Sequence, residues 1–372
     1  MKKLLTYIII PFLGNITLTT FAQQIKIGNY SFKNGGEYTG EMKGGKPDGK
    51  GKTVFKNGNV YEGEYAKGHR EGYGVYSFPD GERYEGQWYQ DQQHGKGTYY
   101  FMNNNRYEGL WFRDYQQGVG TMFYYNGDKY DGDWVQDKRE GKGTYTWDGG
   151  AKYIGEWKND KKNGKGILDW GDNSKYDGEW KNDLRHGQGT FHYTNGDEYT
   201  GGWFEDMQQG KGKYQFHTGD IYEGDYDKGE RTGMGTYTYK NGDKYTGHFL
   251  DGEQEGEGTF VWANGCVYEG QWKNNKRNGK GKYTWTNGQV YEGNWKDNIA
   301  DGEGSMTMSD GSKYHGGFKN GKKDGDGILT DKDGNKFQGF FRQDEKDGPF
   351  IETDKNGKVI RKGVFQHGKI KE

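Results

Sequence analysis

A Tyr-x-Gly triplet recurs every 23 residues along most of this chain, with no insertion between copies. The triplet starts at Tyr38, Tyr61, Tyr84, Tyr107, Tyr130, Tyr153, Tyr176, Tyr199, Tyr222, Tyr245, Tyr268, Tyr291, Tyr314 and, as a Phe variant, Phe337. A strict period means that each unit folds into the same small element and that units contact their neighbours. A conventional globular core is therefore excluded for this region.

Within a unit, large and polar residues alternate. Counting the Tyr as offset 0, Gly stands at offset 2, an aromatic ring at 4, Gly at 11 and 13, and rings at 15 and 17. One example is Trp157, Gly164 and Gly166 in the unit of Tyr153. Alternation is typical of strands, and the Gly density argues against helix. Only 29% of residues are hydrophobic but 17% are aromatic, so rings must supply the burial. Each unit is predicted to be one β-hairpin.

The string Tyr-x-Gly-x-Trp followed by Gly-x-Gly-x-Tyr resembles the MORN repeat, over roughly residues 26 to 348. The resemblance implies an extended antiparallel sheet of successive hairpins. It also implies an interaction or membrane-associated module. The predicted fold class is all-β, an elongated, twisted, single-layer antiparallel sheet of about 14 tandem hairpins.

One strand register is consistent with the residues on both faces of the sheet. If paired offsets sum to fifteen, Gly at offset 2 faces Gly at 13, and each Trp covers a Gly at 11. Acids at offset 3 then face lysines at 12, giving the ion pairs Glu41–Lys50, Asp133–Lys142 and Glu156–Lys165. Between units, a three-residue loop such as 56–58, with Gly58 left-handed, keeps the next Tyr opposite offset 15. A two-residue turn would move it to the charged face.

The expected domain organisation has four parts: 1–22, a signal peptide; 23–37, a half repeat; 38–348, the repeat array; and 349–372, a degenerate cap. In the half repeat, residues 28–32 supply the strand that precedes Tyr38. Pro349 is expected to protect an edge, since Pro removes a ladder donor.

The first 22 residues read as a secretory signal. Lys2 and Lys3 precede a short apolar stretch, and Thr20-Phe21-Ala22 presents small residues at the cleavage positions. The sequence Phe-Ala-Gln-Gln at residues 21–24, where this segment ends, resembles that of exported proteins of Bacteroidetes-type bacteria. The expected location is periplasmic or extracellular, including the cell surface, with the mature chain soluble after cleavage.

No catalytic, metal or cofactor-binding residue is predicted, and the chain is not expected to be an enzyme. The eight histidines lie at variable offsets, and His94 and His186, which share offset 10, are four units apart. The Gly-x-Gly pairs are not followed by the helix that a phosphate-binding loop needs. Cys266 stands alone and has no partner for a disulfide or for nucleophilic catalysis.

Two candidate binding surfaces remain, both weighed against a purely structural role. One is a groove along the aromatic face, lined by Trp88, Trp111, Trp134, Trp157, Trp180 and Trp203. The other is a basic cluster facing lipid, formed by Lys158, Lys161, Lys162 and Lys165, with a similar cluster at Lys273, Lys276, Arg277 and Lys280.

The predicted function is a non-enzymatic binding or scaffold protein of the bacterial envelope, with a protein partner or self-association as the leading hypothesis. Recognition of phospholipid headgroups is the alternative, and a glycan ligand stays open. The net charge is −2, or −4 without Lys2 and Lys3. Anionic membranes favour clustered Lys and Arg, so this charge weakens the lipid hypothesis, and a nucleic-acid partner is not expected.

The signal pattern makes the first testable prediction. Protein purified from its native host should begin at Gln23, because signal peptidase cleaves after the small residue Ala22. Intact-mass measurement checks this directly. A mass that retains residues 1–22 would contradict export.

Overall fold

The computed structural model describes residues 25–371, and these contain strands and turns but no helix. Accordingly, no helix in this range is long and apolar enough to cross a membrane. The predicted signal peptide, residues 1–22, lies outside the described residues. The chain divides into two compact units, Met1–Gly118 and Val119–Glu372.

The strands, numbered in chain order, follow the 23-residue period. The first unit contains β1 (Lys26–Ser31), β2 (Glu37–Lys43), β3 (Lys46–Val54), β4 (Val60–Ala66), β5 (His69–Ser77), β6 (Arg83–Tyr89), β7 (Gln92–Tyr100) and β8 (Arg106–Phe112). β9 (Tyr115–Phe123) spans the boundary between the units. The second unit contains β10 (Lys129–Val135), β11 (Lys138–Thr146), β12 (Lys152–Lys158), β13 (Lys161–Asp169), β14 (Lys175–Lys181), β15 (Leu184–His192), β16 (Glu198–Phe204), β17 (Met207–Gln215), β18 (Ile221–Asp227), β19 (Glu230–Thr238), β20 (Lys244–Leu250), β21 (Glu253–Val261), β22 (Val267–Lys273), β23 (Lys276–Thr284), β24 (Val290–Lys296), β25 (Ile299–Thr307), β26 (Lys313–Lys319), β27 (Lys322–Thr330), β28 (Lys336–Arg342), β29 (Glu345–Thr353), β30 (Val359–Gln366) and β31 (Lys369–Ile370).

Successive strands within each unit pair antiparallel, so the predicted class of antiparallel β-hairpin repeats is confirmed. In the hairpin of β12 and β13, Tyr153 lies opposite Leu168 and Gly155 opposite Gly166, the predicted sum of fifteen. Between hairpins, Tyr145 lies opposite Tyr153. Offset 0 of one repeat therefore meets offset 15 of the repeat before it.

The loop that joins repeats is the predicted three-residue loop. Gly58 N–H donates to the Phe55 carbonyl at 2.9 Å, and Phe55 N–H donates to the Asn59 carbonyl at 2.9 Å. Gly58 has φ +87°, the left-handed conformation that Gly adopts without steric cost. This loop keeps the aromatic residues of neighbouring repeats on one face of the sheet.

The turn inside each hairpin is tighter than the predicted register allows. Asn159 and Asp160, with φ of 48° and 66°, form a two-residue turn that pairs Lys158 with Lys161. Near the turn, paired offsets therefore sum to thirteen, whereas they sum to fifteen at the Gly155–Gly166 pair. A bulge between Gly155 and Trp157 absorbs the difference.

The bulge makes two of the predicted pairings wrong. Trp157 does not cover Gly164, nor Trp180 Gly187. Instead Gly141 is the cross-strand neighbour of Trp157, and Gly164 that of Trp180. Each Trp therefore meets the Gly at offset 11 of the preceding repeat rather than its own.

The three predicted ion pairs, Glu41–Lys50, Asp133–Lys142 and Glu156–Lys165, are wrong for the same reason. The acid accepts the backbone N–H of the lysine instead, at 2.8, 2.9 and 3.4 Å respectively. The bulge leaves this N–H without a ladder partner, and the acid at offset 3 satisfies it. In the sheet, Lys165 lies opposite Glu179 of the next repeat.

The Tyr at offset 0 forms the core of each hairpin. Tyr153 is 0% exposed, and its hydroxyl donates to the Glu156 carbonyl at 3.0 Å. A Cβ on Gly166 would lie inside van der Waals contact with the Tyr153 ring. Gly155 is constrained in the same way by the ring and by the Gly166 backbone. The Gly pair therefore exists to admit the Tyr ring.

Burial of these rings also changes their acidity. Desolvation raises the pKa of Tyr38 and of Tyr291 to about 12 in each case. The neutral phenol is the form that the hairpin core stabilises.

Irregular repeats stand at both ends of the array. β1 pairs with β2, with Gly28 opposite Gly40 and Tyr30 opposite Tyr38. At the other end, strands continue past residue 348. Pro349 lies opposite Val364 in β29, which pairs with both β28 and β30, so the prediction that it protects an edge is wrong. Pro is tolerated at offset 12 because the bulge leaves the backbone N–H at this offset without a ladder partner.

Replacing Gly166 with Ala tests the contact between ring and glycine. The added methyl group should force the buried Tyr153 ring to move and lower the free energy of unfolding by about 1–3 kcal/mol. Gly149→Ala is the matched control, because a Cβ there meets nothing within 4 Å and φ is not positive. Denaturant unfolding monitored by Trp fluorescence measures both variants. Equal stability of the two would contradict the proposed packing.

Candidate binding surface

The six tryptophans predicted to line a groove lie in the interior. Their exposed fractions are 4% for Trp88, 6% for Trp111, 3% for Trp134, 5% for Trp157, 4% for Trp180 and 5% for Trp203. Trp157 packs edge-on between two tyrosines, its ring centre 5.2 Å from that of Tyr153 and 5.3 Å from that of Tyr130. Tyr and Trp rings alternate in this way from one repeat to the next, and their faces are occupied by each other.

The polar atoms of these tryptophans are occupied as well. The Trp180 indole N–H donates to the Gly166 carbonyl at 3.0 Å. The ammonium group of Lys162 lies 4.1 Å from the centre of the Trp180 ring, a cation–π contact. Burial lowers the pKa of Lys162. In this arrangement the Trp ring is covered on its outer side by a cation of the protein.

The predicted basic cluster is therefore divided. Lys158 and Lys161 are exposed and flank the hairpin turn. Lys162 packs on the aromatic face, whereas Lys165 stands at offset 12 beside the acid side chains of the opposite face. The four side chains do not converge on one anion-sized site.

The second cluster follows the same pattern. The Arg277 guanidinium lies 4.4 Å from the centre of the Trp295 ring. Lys276 forms an exposed ion pair with Asp297 at 3.4 Å. Two of the four cations thus have partners within the protein.

In the first unit, an exposed aromatic patch lies on the face of the sheet opposite to the buried Tyr and Trp rings. Its members are Tyr73, Tyr89, His94, Leu110 and Phe112, and we refer to it as the His94 patch. The imidazole of His94 lies between two rings, with centres 5.5 Å from Tyr89 and 5.3 Å from Phe112. Tyr89 is 50% exposed and Phe112 47% exposed, so solvent reaches a large part of both rings.

The sheet register brings the other members beside these rings. Tyr73, 56% exposed, lies opposite Gln87, which is two residues before Tyr89 on the same face. Leu110 lies opposite Lys96 and two residues before Phe112. Charged groups border the patch, including the Arg113 guanidinium 5.2 Å from the Phe112 ring centre. An apolar centre with a charged rim is typical of protein interfaces.

The His94 patch departs from the repeat pattern. Tyr89 and Phe112 stand at offset 5, where Lys158, Lys273 and Lys319 stand in other repeats. The hairpin does not need an aromatic residue there. Elsewhere offset 5 is aromatic only at Phe204, which is 47% exposed and lies 5.2 Å from His186.

Residues 25–371 contain no group of three or more His, Cys, Asp or Glu side chains placed to hold a metal ion. The one cysteine in this range, Cys266, is buried. Its backbone N–H donates a hydrogen bond to Asn264 Oδ1 at 3.0 Å, within an inter-repeat loop.

Comparison with protein families agrees with the hairpin geometry. Thirteen consecutive 23-residue segments, from 38–60 to 314–336, match the family model described as MORN repeat. The chain belongs to the MORN-repeat family. The matched segments begin at the Tyr of each hairpin, and the variant unit that starts at Phe337 lies beyond them.

The solved structures similar to this chain include two TCP10-type domains. One is the TCP10 domain of Danio rerio CPAP in complex with a peptide of Danio rerio STIL, with TM-score 0.24 and 9% identity, over 91% of this chain and 100% of that chain. The other is the TCP10c domain of Drosophila melanogaster Sas-4, with TM-score 0.24 and 14% identity, over 48% of this chain and 93% of that chain. Both TM-scores are far below 0.5, so they support no functional inference. The comparison with curated proteins gives no match.

Sequence reasoning missed the His94 patch because it followed the residues that the MORN repeats share. The signal was present at the positions where the repeats differ. Offset 5 is mostly charged, and a Tyr or Phe there is unexplained by hairpin packing. Residues that the fold does not require are better candidates for function than those it does.

The structural role of the MORN tryptophans can be tested at Trp180. Trp180→Ala should lower the free energy of unfolding by about 3–5 kcal/mol, because it removes a buried ring and leaves a cavity. Trp180→Phe should cost less, since most of the burial is kept. Met102→Ala serves as the control, because that side chain is 68% exposed and its loss should change stability by less than about 0.5 kcal/mol. A Trp180→Ala protein as stable as the control would show that the ring is dispensable for folding.

Proposed function

We propose that this protein is a non-enzymatic scaffold exported to the bacterial cell envelope, where it binds a protein partner through the His94 patch. The observation that carries the proposal is the exposure of Tyr89 and Phe112 at a position where other repeats have lysine. The proposed export rests on the pattern of residues 1–22.

The composition of the patch favours a protein partner. Tyr and Phe bury a large apolar area with few rotatable bonds, so ordering them at an interface costs little entropy. Exposed apolar patches with a polar rim are characteristic of sites that bind other proteins. His94 holds the Tyr89 and Phe112 rings in place from between them. The patch is therefore preorganised for a partner with an apolar surface of its own.

Recognition of lipid headgroups has weaker support. A headgroup site needs several cations that converge on one phosphate. Lys162 and Arg277, one from each predicted basic cluster, are engaged by tryptophan rings. Binding of a glycan or lipid along the Trp face would also require displacement of these cations from the rings.

Restoring the common residue at offset 5 tests the proposal. The double variant Tyr89→Lys and Phe112→Lys should fold normally, because both side chains are exposed and lysine occupies this offset in other repeats. Leu250→Lys is the matched control, at the same offset and 54% exposed, but in the second unit. Immobilised wild-type, double variant and control are each exposed to envelope extract of the native host, and bound proteins are quantified by mass spectrometry.

The expected result is a protein retained by the wild type and the control but reduced at least tenfold, or about 1.4 kcal/mol, by the double variant. The affinity of that retained protein for each of the three purified chains is then measured by calorimetry. Equal retention by all three would exclude the His94 patch. Binding of the wild type to anionic vesicles, unchanged in the double variant, would favour the lipid hypothesis instead.

A further inference from the structure

The first strand of the array is half of a hairpin. In β1, Gly28 and Tyr30 occupy the places of offsets 13 and 15, as their pairing with Gly40 and Tyr38 shows. In a complete repeat such a strand also pairs on its other side with the first strand of its own hairpin, as Gly166 does with Gly155. Within residues 25–371, β1 is in register with β2, and its other side has no partner strand. This edge is open.

The last long strand, β30, corresponds to the other half of a hairpin. In β30, Phe365 lies opposite Gly348 and Gly363 opposite Phe350, which is the register of a first strand. Its hairpin partner β31 pairs only with Phe365 and Gln366. The Lys371 N–H donates once more, to the Val364 carbonyl at 2.9 Å. From Val359 to Gly363, the outer side of β30 has no partner among the described residues.

The two open edges are complementary in register. In the complete hairpin of β12 and β13, the second strand has a part near the turn, beginning at Lys161, and a far part that ends with Gly166 to Asp169. β31 corresponds to the part near the turn. β1 corresponds to the far part, with its residues Gly28 to Ser31. One edge therefore has the residues that the other lacks.

Side chains at the two edges match as well. Setting β1 beside β30 in the repeat register places Gly28 opposite Gly363 and Tyr30 opposite Arg361, a pairing suited to a cation–π contact. Ile27 at offset 12, which is 72% exposed, would then lie beside Val364 at offset 3, which is 42% exposed. An acid stands at offset 3 in six of the fourteen repeats. The junction would therefore bring two exposed aliphatic side chains together.

We propose that copies of this chain associate head to tail, with β1 of one copy pairing antiparallel with β30 of the next to complete a hairpin. The occupant of each open edge is a second copy of the chain. Such an interface is heterologous, since different surfaces meet, and it can be repeated from copy to copy. It is separate from the His94 patch, so either proposal can fail without the other.

Backbone geometry identifies the residues to change. The Phe32 N–H donates to the Gly36 carbonyl at 2.8 Å, toward the β2 side. Because bonding directions alternate along an antiparallel strand, the N–H of Asn29 points to the open edge. By the same alternation, the N–H of Lys362 in β30 points outward. Pro at either position removes an outward donor and keeps the existing ladder, as Pro is tolerated on edge strands.

Sedimentation of the purified full chain over a concentration series is the test. The wild type should form species larger than a dimer as concentration rises. Asn29→Pro and Lys362→Pro should each weaken association at least tenfold. The matched controls are Asn29→Thr and Lys362→Thr, which keep the N–H and introduce a residue found at the same offset in other repeats, such as Thr190 and Thr200. Circular dichroism and melting compare the folding of each Pro variant with that of its control.

Mixing the two Pro variants gives the decisive result. Each keeps one intact edge, so an equimolar mixture should form dimers but nothing larger, although each variant alone stays monomeric. Association of Lys362→Pro alone would indicate that β1 pairs with β1, and association of Asn29→Pro alone that β30 pairs with β30. Either result would overturn the head-to-tail arrangement. So would a wild type that stays monomeric up to about 0.1 mM.

Discussion

The contact between a tyrosine ring and a pair of glycines determines the rest of this fold. In the repeat of Tyr153, the ring lies over Gly155 and Gly166, and neither glycine has room for a Cβ. The ring is 0% exposed, although residues 25–371 contain no helix that could pack over it. The neighbouring Trp rings cover it instead, so burial depends on an uninterrupted series of repeats. A period without insertions follows from this, because a shift of one residue would move a ring to the other face.

Much of this architecture could be read from the offsets. Alternation predicted strands, the Gly–Gly pairing was correct, and the loop of Gly58 followed from keeping Tyr opposite offset 15. The bulge could not be predicted, because a uniform register satisfied the same pattern of rings and glycines. Its trace in the sequence is the glycine at offset 11. Gly164 has φ +66°, and there the requirement is backbone conformation rather than room for a ring.

The candidate surface was harder to predict than the fold, for a related reason. Trp157 and Trp180 stand on an alternating strand, and the sequence of one repeat suggests that one side of each ring faces solvent. In the structure the neighbouring repeat supplies a second Tyr and a cation at offset 9, so both sides are covered. Exposure in a repeat array is a property of adjacent units together. The rings that stay exposed, such as Tyr89 and Phe112, are those outside the repeated set.

The same dependence on neighbours explains why the ends of the array differ from its middle. A terminal repeat lacks one neighbour and must satisfy its open face by substitution. Near the C-terminal end, the Phe350 ring takes the place of the missing Tyr and lies over Gly363, and Arg361 at offset 0 pairs with Glu352 at 2.8 Å. These changes bury the aromatic side, but among residues 25–371 the outer side of β30 has no partner strand from Val359 to Gly363. Side chains can cap the core of such an array, whereas the ladder itself can be completed only by another strand.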